Sequence, residues 1–188
     1  MTPRLKEKYI KEVTPALMKE LSLGNVMEVP KIQKVVVSSG IGAFRENKDA
    51  VAAFEEELSF LTGQKPSERK ARQAEAGFKI RKGDKIGYTT TLRGSRMWAF
   101  LDKFINIVLP RVRDFNGLSI RSFDGNGNFS VGLDEHTIFP EVNPNTTKGI
   151  RGLQVTIVTN TNDNEKSKAL LSSIGVPFEK GTKEASVR

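Results

Sequence analysis

The chain has 188 residues, with 30 lysines and arginines against 22 aspartates and glutamates, a net charge of +8, a single histidine and no cysteine. Those counts exclude a disulfide framework, a thiolate zinc site, an iron–sulfur cluster and, within one chain, a multi-histidine metal centre. With 37% hydrophobic and 28% charged residues the composition is globular; a chain of this size buries roughly 70% of its unfolded surface, and no apolar run approaches the ~18 residues of a membrane span.

In chain order, the N-terminus Met1-Thr2-Pro3-Arg4-Leu5-Lys6 has no apolar signal core, so a cytoplasmic protein is expected. Thr2 is predicted to cap a helix with Pro3 at its first position. Leu5, Tyr9, Val13, Leu17 and Leu21 follow at four-residue steps on one helical face. Pro15 falls inside that pattern and predicts a kink or a second helix starting at Thr14-Pro15. Residues 32–38, Ile-Gln-Lys-Val-Val-Val-Ser, are rich in β-branched side chains and predict a strand, followed by the glycine loop Gly40-Ile41-Gly42. Asn47 then caps a helix with Val51, Phe54, Leu58 and Leu61 on one face, stopped by Gly63.

Residues 64–70 are expected to be extended, with Pro66 marking a strand start or an edge. The stretch from Arg72 to Asp84 is expected to be a long hairpin loop, and Tyr88 to Leu92 the returning strand. Gly94-Ser95 opens a third helix carrying Met97, Trp98, Leu101, Ile105 and Val108, closed by Pro110. Asp124-Gly125-Asn126-Gly127-Asn128 is a turn. Phe129, Val131 and Leu133 alternate as a half-buried strand, as do Leu153, Val155 and Ile157. Asn162 with Glu165 resembles a capping box for a last helix through Leu170, Leu171 and Ile174, stopped by Gly175 and Pro177. This order predicts an α+β two-layer sandwich: a mostly antiparallel sheet with helices on one face, a long basic hairpin loop, and the other sheet face free to bind. Residues 1–180 are expected to form one domain and 181–188 a polar, frayed extension.

The charge is localised. Residues 1–63 are neutral and residues 97–188 carry +1, whereas residues 64–96 hold ten basic groups against three acidic ones, a net +7. Concentrated lysine and arginine neutralise phosphates and release counterions, which points to nucleic acid. A membrane surface fits less well, because no clean amphipathic helix with an apolar face accompanies the charge. Phe78 and Tyr88 interleave with Lys79, Arg81, Lys82 and Lys85. Aromatic faces that stack on unpaired bases beside cations that track the backbone suit looped RNA; the alternative is that either ring belongs to the core. Thr89, Thr90 and Thr91 add hydroxyls for phosphates or 2′-hydroxyls.

Other motifs carry less. Gly40-Ile41-Gly42 lacks the third glycine of a dinucleotide loop, which would fall at Arg45. Asp124, Asn126, Asn128 and Glu135 match positions of a calcium loop, but Phe129 stands where its glycine is required. His136 beside Asp134 and Glu135 is a conceivable general base, with no serine elbow near it. Asn128-Phe129-Ser130 and Asn145-Thr146-Thr147 match the glycosylation triplet without a secretory context.

Seven motifs converge on one family: Gly63-Gln64-Lys65-Pro66, Ala76-Gly77-Phe78-Lys79-Ile80-Arg81, Thr91-Leu92-Arg93-Gly94, Pro110-Arg111-Val112-Arg113-Asp114-Phe115, Ser122-Phe123-Asp124-Gly125, Ile138-Phe139-Pro140-Glu141 and Gly175-Val176-Pro177-Phe178. In this order, over about Leu5 to Lys180, the chain resembles the bacterial form of large-subunit ribosomal protein five, the universal 5S-rRNA-binding family. The resemblance implies a structural component of the central protuberance and no enzyme. It implies that the protein anchors 5S rRNA to 23S rRNA, that its long loop reaches the elbow of P-site tRNA, and that another surface touches a small-subunit head protein. Neighbouring central-protuberance proteins are further implied partners; no cofactor, metal or membrane is.

Carried onto this sequence, the 5S-facing residues are Ser38, Gln64, Lys65, Phe78, Thr91 and Arg93, on the sheet's open side, and the tRNA-facing loop carries Arg72, Lys79, Arg81 and Lys82. The intersubunit contact falls in residues 110–146. The chain departs from the family pattern at Ser38, where asparagine is usual, and at Asn116 and Asn126, where arginine is usual; the extension 181–188 passes the usual end. The competing readings are a free RNA chaperone and an RNA-modifying enzyme built on His136 or a carboxylate.

Overall fold

A computed structural model describes residues 3–145 and 147–179; Thr2, expected to cap the first helix, Thr146 of a glycosylation triplet and the extension 181–188 lie outside the described residues. The N-terminal helical run consists of α1 (Arg4–Lys8), a π turn (Tyr9–Val13) and α2 (Thr14–Glu20). Pro3, expected at the first helical position, is the N-cap instead. The π turn explains how the run tolerates Pro15, which has no N–H for the next rung and whose ring crowds the carbonyl four residues back. There the ladder slips by one residue, so that the Thr14 N–H reaches the Tyr9 carbonyl and the Thr14 hydroxyl donates to the same oxygen at 2.9 Å.

Strand β1 (Ile32–Gly40) is followed by a short turn and α3 (Lys48–Thr62), capped by the Asn47 side chain and ended by a left-handed Gly63, as the sequence predicts. Then come β2 (Ser67–Lys70), the basic loop, β3 (Lys85–Leu92) and α4 (Gly94–Lys103), which continues through a π turn (Phe104–Val108) into a 3-10 turn (Leu109–Arg111) holding Pro110. Strands β4 (Phe129–Leu133) and β5 (Leu153–Thr159) precede α5 (Asn164–Ile174). The cap of α5 is Asp163, whose carboxylate accepts from the Glu165 N–H at 2.9 Å, and not Asn162. A carboxylate at this position also faces the positive end of the helix dipole, which an amide does not exploit.

The sheet is five-stranded and antiparallel, in the order β2-β3-β1-β5-β4. Alternation along each strand sends Val35, Val37, Tyr88, Leu92, Phe129, Val131, Val155 and Ile157 to one side, where they join Leu17, Phe54, Leu58, Leu101, Phe104 and Leu170 of the helices in one buried cluster. This is the predicted α+β sandwich. At the carboxyl end Leu118 pairs with the 177–179 segment, and Phe123, Phe129 and Phe178 pack together, Phe123 stacked on Phe178 and Phe129 edge-on to it.

The 124–128 turn is bound to the body at Gly127. Its N–H donates to Asn164 Oδ1 at 3.0 Å, its carbonyl accepts from the Thr159 hydroxyl at 2.9 Å, and its φ is +73°. A Cβ there would run into the Thr161 carbonyl oxygen, which is backbone and has no room to yield. Gly127→Ala is therefore expected to cost about 2 kcal/mol or more, combining left-handed strain with displacement of the turn; a chemical-denaturation midpoint checks it.

Candidate nucleic-acid interface

The face of the sheet away from the helices is built in transverse rows that follow from strand register. One row runs Ser67–Thr89–Ser38–Gln154–Gly132, and the next runs Thr91–Val36–Thr156–Ser130. Six hydroxyls, one amide and one glycine make up these rows with Val36, and Ser130 and Thr156 share a hydrogen bond at 3.0 Å. These rows are hydroxyl-rich and carry no charge, while Arg69 in the adjoining row and Lys34 beyond Val36 bring cations to the same face; such a surface meets the sugars and base edges of a folded RNA without a large desolvation cost and offers phosphate contacts at its margins. Ser38 stands at its centre, half-buried, between Thr89 and Gln154. Thr90 points the other way, into the core, where its hydroxyl finds no partner among the described residues; only Thr89 and Thr91 of the threonine triplet face outward.

Gln64 lies beside this face. Its Nε2 donates to the Thr91 carbonyl at 3.3 Å and its Oε1 accepts from Arg96 at 3.3 Å. Arg93 is exposed at the start of α4. Lys65 is different: its ammonium lies 3.5 Å from Glu55 of α3, which draws it toward the helical layer.

The basic loop is not a bare excursion. Ala71 N–H bonds the Asp84 carbonyl and Gly83 N–H bonds the Ala71 carbonyl, closing its base. Glu75 and Ile80 exchange two backbone bonds at 2.9 and 3.0 Å around a 3-10 turn (Ala76–Phe78), with Lys79 left-handed at φ +52°. The Asp84 carboxylate accepts from the Arg81 N–H at 2.9 Å. This hairpin projects Arg72, Lys79, Arg81 and Lys82 into solvent together with Phe78, whose exposure is 76%. Among the described residues, none of Arg69, Lys70, Arg72, Lys79, Arg81, Lys82, Arg93 and Arg96 forms an ion pair, whereas Lys85 is paired with Glu68. Unpaired cations are the ones that phosphates can engage without first breaking a contact.

The structure divides the two interleaved aromatics. Tyr88 is buried; burial first, then its 3.1 Å bond to Glu55, pushes its phenol up to about 12, so it stays a neutral donor inside the core. Phe78 is the ring free to stack, and it sits on the loop rather than on the open sheet face where the sequence reading put it. The six expected 5S-facing residues thus separate into Ser38, Gln64, Thr91 and Arg93 at the face and its rim, Lys65 turned to α3, and Phe78 on the loop.

His136 is oriented by neither Asp134 nor Glu135. It is buried; its Nε2 lies 3.0 Å from Glu57 of α3, and its Nδ1 accepts the Arg151 N–H at 3.2 Å. A ring so enclosed has no open side for a substrate. Asp124 binds its own turn, accepting from the Asn126 and Asn128 N–H groups at 2.8 and 3.0 Å and from the Asn128 side chain at 2.7 Å. Those bonds hold its carboxyl below the usual aspartate range, the Asn128 side chain contributing most. Among the described residues no cluster of His, Cys, Asp or Glu is arranged to hold a metal ion.

Sequence reasoning missed a polar centre under the 147–151 segment. The Arg151 guanidinium lies between the rings of Phe44 and Phe54, 4.4 and 4.7 Å from their centroids, and donates to the carbonyls of Ala50, Lys148 and Gly149 at 3.2–3.3 Å. Burial pushes its pKa below the usual arginine value, opposed by the charge of Glu57. Glu57 also accepts from Thr147 at 2.7 Å.

Comparison with known proteins gives a consistent result. The family described as ribosomal protein L5 matches residues 25–81, and the ribosomal L5P family C-terminus matches residues 85–178. The chain is similar to large ribosomal subunit protein uL5 of Roseiflexus sp., 51% identical over 95% of this chain and 99% of the relative. It is similar at 51% identity to the same protein of Dictyoglomus turgidum, over 94% of this chain and 98% of the relative. To that of Carboxydothermus hydrogenoformans it is 49% identical over the same shares.

Proposed function

The chain belongs to the ribosomal protein L5 family, and from that membership we propose that it binds 5S rRNA through the open sheet face and P-site tRNA through the basic loop. The family is one of structural, non-enzymatic components of the large ribosomal subunit, at work on cytoplasmic ribosomes. Within that role this chain attaches 5S rRNA to 23S rRNA in the central protuberance and contacts the small-subunit head, beside other proteins of the protuberance. The observation that carries the division of labour is the separation of chemistries: hydroxyl rows centred on Ser38 with cations such as Arg69 and Lys34 at their margins, and a projecting hairpin whose cations Arg72, Lys79, Arg81 and Lys82 form no ion pair among the described residues.

On the face, Ser38, Thr89 and Thr91 supply hydroxyls for sugar and base edges, Gln64 an amide, and Arg93 a guanidinium at the rim. Phe78 goes with the loop, where its ring stacks on an unpaired base between phosphate-bound cations. Asn116 and Asn126 are exposed, so the arginines usual there would have added phosphate contacts in the carboxyl half that this chain forgoes.

With about five phosphates engaged by the cations on and around the face, Lys34, Arg69, Arg93 and Arg96 among them, the log–log slope of 5S rRNA affinity against salt is expected to be roughly −4. Filter binding between low and moderate potassium chloride measures it, and an affinity independent of salt overturns the electrostatic part of the reading. Co-sedimentation with large subunits separates the ribosomal role from that of a free RNA chaperone, which would stay in the soluble fraction.

A further inference from the structure

The turn between β1 and α3 makes contacts at both ends. Arg45 donates from Nη2 to the Lys79 carbonyl at 2.8 Å, at the left-handed residue where the basic loop reverses. The adjacent Phe44 lays its ring on the Arg151 guanidinium at 4.4 Å. That ring also closes on Gly149 at φ +110°, where a Cβ would stand 3.1 Å from Phe44 Cε1, so only glycine permits the approach. Arg151 in turn holds the Lys148 and Gly149 carbonyls. One dipeptide therefore grips the apex of one loop and the middle of another.

We propose that Phe44 and Arg45 form a two-ended clamp that sets the 71–84 loop and the 147–151 segment in one mutual position, so that displacement of either is transmitted to the other. The dipeptide suits this because its own backbone is pinned. Phe44 N–H bonds the Ile41 carbonyl and Asn47 N–H bonds the Phe44 carbonyl, both at 3.0 Å, while the Asn47 side chain caps α3 at the Ala50 N–H. Ile41 is buried and its N–H bonds the Ile86 carbonyl of β3. A short segment bonded to a strand on one side and a helix cap on the other moves as a unit or not at all. Arg45 and Phe44 are thus positioning residues: they orient the surfaces and need no contact with RNA. The clamp also limits the ordering cost on binding, because the hairpin is held near its final shape beforehand.

The importance of the clamp for RNA contact rests on the proposed function, but its existence does not, so the test omits RNA. Amide hydrogen exchange is followed in the full chain for the native protein and for Arg45→Ala, Arg45→Lys and Phe44→Leu. Arg45→Ala is expected to speed exchange about tenfold at Lys79 and Ile80 and also at Arg151, whose N–H lies on the far side of the clamp. Phe44→Leu is expected to do the reverse, acting first at Arg151 and also at Ile80, and Arg45→Lys to recover part of the protection. Sheet amides of Val35 and Val155 should not change. Acceleration confined to the mutated side overturns the coupling, no acceleration on either side overturns the clamp, and an equal rise at Val35 and Val155 reduces both residues to contributors to global stability and also overturns it.

Discussion

Replacing Arg72, Lys79, Arg81 and Lys82 together with glutamate is expected to weaken tRNA binding by at least about 100-fold while 5S rRNA binding falls by less than about tenfold. Each phosphate contact contributes a little under one unit to the salt slope, so loss of four removes about three units and most of the affinity that depends on them. Reversal does more than deletion, because new carboxylates would stand beside Glu75 and Asp84 and repel the phosphates that approach. The four side chains are exposed and form no ion pair among the described residues, so the substitutions leave core and sheet contacts intact and stability nearly unchanged. Large subunits reconstituted with the variant report tRNA binding, and the isolated protein reports 5S binding. Ser38→Asp is the reciprocal variant: a charge in the middle of the hydroxyl rows should reduce 5S binding about 100-fold and leave the loop's tRNA contact alone. If the loop variant loses 5S rRNA first, the two surfaces have been divided wrongly.

The features that were readable before the structure are those in which neighbours along the chain report on each other. Alternation in Phe129, Val131 and Leu133, four-residue steps from Leu5 to Leu21, and a glycine stop at Gly63 are local patterns, and the elements form where they predict. The charged segment was equally local, since the β2–loop–β3 hairpin collects seven of its ten cations. Choices that the sequence misplaces or leaves open are those in which two local options have similar energy. Asn162 and Asp163 are both good caps, and the choice fell to the one whose charge suits the helix dipole. Phe78 and Tyr88 are both aromatic within a basic run, and strand register sent Tyr88 inward while the 3-10 turn sent Phe78 outward. The polar centre was illegible for another reason. His136 meets Glu57 across 79 positions and Arg151 meets the Ala50 carbonyl across 101. Neither spacing leaves a mark on the sequence, and Arg151 reads there as one more surface cation between two glycines.

That arginine has the largest expected effect on stability. Arg151→Ala should cost about 3–4 kcal/mol and lower the melting temperature by about 10 °C. Arg151 is 4% exposed, so the deletion leaves a cavity rather than a surface gap. The carbonyls of Ala50, Lys148 and Gly149 lose their donor, and the rings of Phe44 and Phe54 lose the cation between them. Lysine would not replace it: a single ammonium cannot stack between two rings and reach three carbonyls, so Arg151→Lys should recover less than half of the loss. The single tryptophan, Trp98, is buried against Tyr9 in the helical layer, far along the chain from the substitution, and its fluorescence follows global unfolding in urea. A loss below about 1 kcal/mol would mean that water satisfies the three carbonyls as well as the guanidinium does, and the 147–151 segment would then owe its position to Glu57 and His136 instead.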